Sequence, residues 1–126
     1  MTPVHQTKFG NAAGEAAGNC LQAALASLFD LPLDSVPHFV AYSDAQWWAE
    51  FNAWLGSRFG LFIVSITREQ VPYLDQRGYY IQYGNSPRGF PHVVIAKDGE
   101  MVHDPHPDGT GLVKVEGEYV IARWFG

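Results

Sequence analysis

Residues 61–66, Leu61-Phe62-Ile63-Val64-Ser65-Ile66, mark the point where the pattern of this chain changes. The run is continuously apolar and of strand length. Upstream of it, apolar residues recur at helical spacing instead. Trp47, Trp48, Phe51, Trp54 and Leu55 make a broad aromatic face, and Ser43-Asp44-Ala45-Gln46 before them has the spacing of a capping box. Core packing is the reading of that face. Earlier still, Leu21, Ala24, Leu25, Leu28 and Phe29 share one side of a helix over about 20–30, which Pro32 ends. Residues 31–39, with Pro32 and Pro37, read as a turning connection, and residues 1–18 as irregular.

Downstream the pattern is one of short strands. Thr67-Arg68-Glu69-Gln70 is a second capping box, opening a short helix that Gly78 closes. Strands are expected over 79–83, 92–96, 101–104, 112–115 and 119–124, with a loop of turn formers over 84–89. Helices first and an antiparallel sheet after them indicate an α+β fold, N-terminal helices packed on a C-terminal sheet.

The bulk properties narrow the function classes. A chain of 126 residues, 47% hydrophobic and 14% aromatic, fills the core of one domain, taken as 1–126. The net charge of −5 and the absence of a basic run argue against general nucleic-acid binding. One cysteine makes no internal disulfide. Neither a signal peptide nor a membrane span is read, so the cytoplasm is the expected location and no membrane partner is expected. The oligomeric state is not legible.

The single cysteine stands in Gly18-Asn19-Cys20, with Asn19 as the expected N-cap of the first helix. A thiol in a first helical turn meets outward-pointing N–H groups and a positive dipole end. That field favours thiolate and suits a nucleophile. An inert core cysteine is the competing reading. A nucleophilic cysteine needs a base and a group orienting that base. His92 opens a strand directly after a Gly- and Pro-rich loop, a rigid place for such a base. If Lys97-Asp98-Gly99 forms a three-residue turn, His92 faces Asp104 across the hairpin. A two-residue turn on Asp98-Gly99 sets Asp104 opposite Val93, unless a bulge restores the pairing. For the oxyanion, the Cys20 N–H and the Gln6 side chain are candidates, while Gln22 reads as a helix surface residue.

The order Gln6, then Gly18-Asn19-Cys20 opening a hydrophobic helix, then His92 on a strand, then Asp104 one hairpin later resembles the papain-like cysteine peptidases, in their compact bacterial and phage form. The resemblance runs from Gln6 to Asp104. It implies a papain-like fold, with Cys20 as nucleophile, His92 as general base and acid, Asp104 as orienter and Gln6 as oxyanion donor. The implied activity is hydrolysis of an amide, isopeptide or related acyl bond in a peptide or small substrate, through a thioester and without a cofactor. Acyl transfer on the same residues, as in transglutaminase-like relatives, is one alternative. A non-catalytic papain-like binding module is another.

Two further groups of residues have competing readings. His103-Asp104-Pro105-His106-Pro107-Asp108 is dense in metal ligands, but its proline-broken spacing matches no zinc pattern, so a stiff polar rim and no metal are expected. Arg88 offers a donor fork to a substrate carboxylate or phosphate, with Asn19 as a second substrate contact; a solvated loop arginine is the alternative. His38 reads as structural, and His5 carries little signal.

Overall fold

The computed structural model describes residues 1–10, 17–42, 46–67, 69 and 78–123. Helix α1 spans Cys20–Leu28 and α2 spans Trp47–Phe59, with short 3-10 turns at Leu33–Ser35 and Phe39–Ala41 between them. Five strands follow: β1 Leu61–Thr67, β2 Tyr79–Asn85, β3 Pro91–Lys97, β4 Glu100–His103 and β5 Lys114–Arg123. They form one antiparallel sheet in the order β1-β5-β2-β3-β4. The α+β class expected from the switch at Leu61 is the one observed. The capping boxes at 43–46 and 67–70, the short helix before Gly78, and Trp124 lie wholly or partly outside the described residues.

Local chemistry accounts for the element ends. Gly60 takes the left-handed conformation, φ 67°, and its N–H caps the Gly56 carbonyl, which frees the chain to turn directly into β1. Helix α1 packs on β3 and β2, and α2 packs on β1. Leu25, Phe51, Leu55, Ile81 and Ile95 are fully buried between these layers. Each such side chain contributes roughly 1.5–3 kcal/mol of transfer free energy. The aromatic face of α2 divides its work: Phe51 and Leu55 are core, while Trp48 reaches Tyr119 of β5, with ring centroids 5.5 Å apart.

One strand expectation is corrected, and of the two forms open for the β3–β4 turn one is observed. The segments 112–115 and 119–124 are not separate strands; residues 114–123 run as one. Gly117 is required within it, because Tyr83 of β2, its pairing partner, leaves no room there for a Cβ. The β3–β4 hairpin is also not the three-residue form. Lys97 pairs with Glu100 around Asp98 and Gly99, whose φ values are 54° and 83°, a two-residue turn of the kind that requires two left-handed residues.

Residues 1–10 are irregular, as expected, but firmly attached. Thr2 N–H donates to the Ser27 carbonyl, Val4 N–H to Ser27 Oγ, and Gln6 N–H to the Pro105 carbonyl. Residues 1–10 thus join α1 to the loop after β4. No helix among the described residues is long and apolar enough to cross a membrane.

Candidate active site

Cys20 is the first residue of α1, so its N–H is among the groups a helix leaves without an intrahelical partner. Asn19 occupies the cap position, but its side chain does not cap. Its Oδ1 instead accepts from Thr7 N–H and Lys8 N–H at 2.9 and 2.8 Å, and its Nδ2 donates to Thr7 Oγ1 and Gln22 Oε1. Asn19 is 1% exposed and does not line the cleft, which corrects the expectation that it contacts substrate. Its effect is to clamp the N-terminal segment beside Cys20. Gln6 is positioned by this clamp. It is buried, lines the same cleft as Cys20, and donates from Nε2 to the Lys8 carbonyl at 2.9 Å. An amide nitrogen has two hydrogens, so a second remains to donate. Gly18 lets the chain pass close to the N-terminal segment, since a Cβ there would come within 3.2 Å of the Gly10 carbonyl oxygen.

His92 and Asp104 meet as a buried pair, Nε2 to Oδ1 at 2.7 Å. The register that achieves this is neither of the simple ones. After the two-residue turn a bulge shifts the ladder between Ala96 and Ile95, so Ile95 pairs with His103. Extended by one step, that register sets Asp104 level with Val94, on the side His92 shares. The two are diagonal neighbours rather than direct opposites. Asp104 also accepts His106 N–H on Oδ1 at 2.9 Å and Gly111 N–H on Oδ2 at 2.8 Å. Burial raises the Asp104 pKa, but these three donors outweigh it and hold the carboxyl below its usual range. Burial likewise disfavours charge on His92. Hydrogen bonds to Asp104 and to Cys20 and the negative charge of both prevail, and its pKa is pushed up to about 9. Because Nε2 is engaged by Asp104, Nδ1 is the ring nitrogen left for the Cys20 sulfur.

Cys20, His92 and Gln6 open on a cleft of about 490 Å³. Its walls also carry Trp47, Tyr83, Phe90, Glu116 and Tyr119, none of which the sequence reading singled out as cleft residues. Tyr83 and Tyr119 stack at 4.6 Å, and burial together with the nearby charges of Tyr83 and Cys20 pushes the Tyr119 phenol up to about 12. Isolated glycines in a strand pattern, Gly84 and Gly117, were the available signal that backbone and side chains crowd here.

The remaining candidates have structural partners. Arg88 lines the cleft, but its guanidinium is held by Asp108 at 2.6 Å and by Thr110 at 3.3 Å, so it clasps two loops together. Gln22 is half-buried rather than a free surface residue: its Nε2 donates to the Leu33 and Val36 carbonyls, fixing the connection after α1. His103 Nε2 meets the Val4 carbonyl at 2.7 Å, and His38 Nε2 meets that of Ala17 at 3.0 Å. His106 borders the cleft and packs edge-on against Phe9. No group of three or more metal-ligating side chains occurs among the described residues. Comparison of the chain with protein-family models, with curated proteins and with solved structures found no match.

Proposed function

We propose that this chain is a papain-like cysteine hydrolase that cleaves an amide, isopeptide or related acyl bond. The observation that carries the reading is the buried His92–Asp104 pair in a cleft shared with a cysteine at the first residue of a helix. A helix opened by the cysteine and packed on an antiparallel sheet that bears the histidine also agrees with the resemblance drawn from the sequence.

In this mechanism His92 takes the proton of the Cys20 thiol. The sulfur then attacks the substrate carbonyl, forming a C–S bond and a tetrahedral oxyanion that the Cys20 N–H and Gln6 Nε2 stabilise. Collapse breaks the C–N bond, and His92 gives its proton to the departing amine. Water, losing a proton to His92, attacks the thioester. The C–S bond breaks, the carboxylic acid leaves, and the thiol is restored. Asp104 holds the imidazole by Nε2 throughout and balances its charge.

Thiol reactivity is the direct test. Cys20 is expected to react with iodoacetamide at about pH 6.5, where an ordinary thiol is protonated, much faster than a free small thiol does. The excess should vanish in His92→Ala. Cys20→Ala should abolish labelling and any hydrolysis with a thermal midpoint close to wild type, because Cys20 is half-buried beside the cleft. Labelling only after denaturation would return Cys20 to an inert packing role.

A further inference from the structure

We infer that the cleft selects acyl donors bearing a cationic group, an ammonium or guanidinium, and that Glu116 is the residue that selects them. This rests on the cysteine-hydrolase reading above and names the substrate class of that site.

The argument begins with a backbone irregularity. Strand β5 pairs Gly117 with Tyr83, but its next pair is Val115 with Gly84, so Glu116 is an extra residue on β5. A bulge re-aims the side chain it carries. The bulge is packed tightly against β2: a Cβ on Gly84 would overlap the Lys114 carbonyl and lie 3.5 Å from Glu116 N, so only glycine fits opposite. The consequence is a carboxylate-bearing residue on the wall of the cleft that also holds Cys20 and His92. Glu116 is exposed to solvent, and among the described residues no cation pairs with it.

The other charged groups of the cleft do not cancel it. Arg88 is already neutralised by Asp108 at 2.6 Å. In the mechanism His92 and Cys20 exchange one proton, so together they add no net charge. The same cleft carries four aromatic rings, those of Trp47, Tyr83, Phe90 and Tyr119. Aromatic faces attract cations through their quadrupole, and a carboxylate on a concave apolar wall concentrates its field there. A cation is favoured by both features, whereas an anion is repelled by the carboxylate and gains nothing from the rings.

Charged thiol reagents test this without knowledge of the natural substrate. The full chain is labelled at Cys20 with three methanethiosulfonates: the neutral methyl, the cationic trimethylammonioethyl and the anionic sulfonatoethyl reagent. Each rate is divided by that of the same reagent with a free small thiol. The cationic reagent should exceed the anionic one by roughly tenfold or more at low salt. Glu116→Gln should collapse that ratio towards unity, and a thermal midpoint close to wild type shows that the variant is folded. Glu100→Gln, which removes the same charge from exposed β4, should leave the ratio intact. If the neutral reagent reacts readily and the ratio is near unity, or survives Glu116→Gln, the cationic preference is overturned while the hydrolase reading stands. If even the neutral reagent cannot reach Cys20 in the folded chain, both fall together.

Discussion

Asp104 and Asp108 belong to one loop, and each holds a basic partner from the β2–β3 hairpin. Asp104 meets His92 at 2.7 Å and Asp108 meets Arg88 at 2.6 Å. The side chains of the first pair are 4% and 2% exposed, those of the second 28% and 35%. Separation therefore does not distinguish them; solvent does. Around Asp104, water has been replaced by fixed donors, so each lost partner leaves a buried group unsatisfied. Around Asp108, water can replace any lost partner and salt screens the attraction. The outer pair ties two loops, and the inner pair fixes a proton position. Asp104 is half-encircled by the N–H groups of His106 and Gly111, so the loop that Arg88 clasps is the one that presents the carboxylate to His92.

The largest difference should appear on deleting each acid's partnership. Asp104→Ala removes the acceptor of His92, His106 N–H and Gly111 N–H at once, and is expected to lower stability by about 2 kcal/mol or more. Urea denaturation measures this. The same variant should slow iodoacetamide labelling of Cys20, because imidazole orientation is lost. Equal stabilities for Asp104→Ala and Arg88→Ala would erase the contrast between the pairs.

The pH response separates them next. His92 has a folded pKa raised from 6.5 to about 9, so its contribution is complete below 6.5 and is lost as pH rises through about 9. Asp104 has a folded pKa below 3.8, so its contribution is complete above that value and is lost as pH falls through the lowered one. Stability owed to the inner pair is therefore greatest between these limits, and its alkaline loss spans 6.5 to 9. Denaturation midpoints across that range should decline in wild type and flatten in Asp104→Asn, which keeps the shape but not the charge. A decline of equal size in Asp104→Asn would assign it to other groups.

The smallest effect belongs to the outer pair. Arg88→Ala should cost about 0–1 kcal/mol at low salt and less at high salt. A larger cost, indifferent to salt, would show that the clasp supports the buried carboxylate rather than merely joining two surface loops.

Legibility in the sequence followed the range of the interaction. The switch from helical to strand spacing at Leu61 is a local property, and the order of helices and strands could be read from it. So could the pairing of His92 with Asp104, which the sequence offered across one hairpin. The hairpin register was only half legible. Asp98-Gly99 announces a tight turn, but whether two or three residues form it, and whether a bulge follows at Ala96, depends on how β3 and β4 meet the rest of the sheet. Gln22 was misjudged because helical position alone cannot reveal that the Leu33 and Val36 carbonyls come back to meet it.

By itself, then, the sequence determined what short-range physics controls: the α+β order, the helix that begins at Cys20, the turn at Asp98-Gly99, and the inventory of polar and titratable side chains. Tertiary structure alone decided which of those side chains meet. Asn19 draws in the N-terminal segment and sets Gln6 on the cleft, a bulge brings Asp104 to the face of the sheet that His92 shares, and another puts Glu116 on the same wall. These are long-range matters. They depend on satisfying buried N–H and carbonyl groups from segments far apart in the chain, and no local spacing encodes which distant partner will do so.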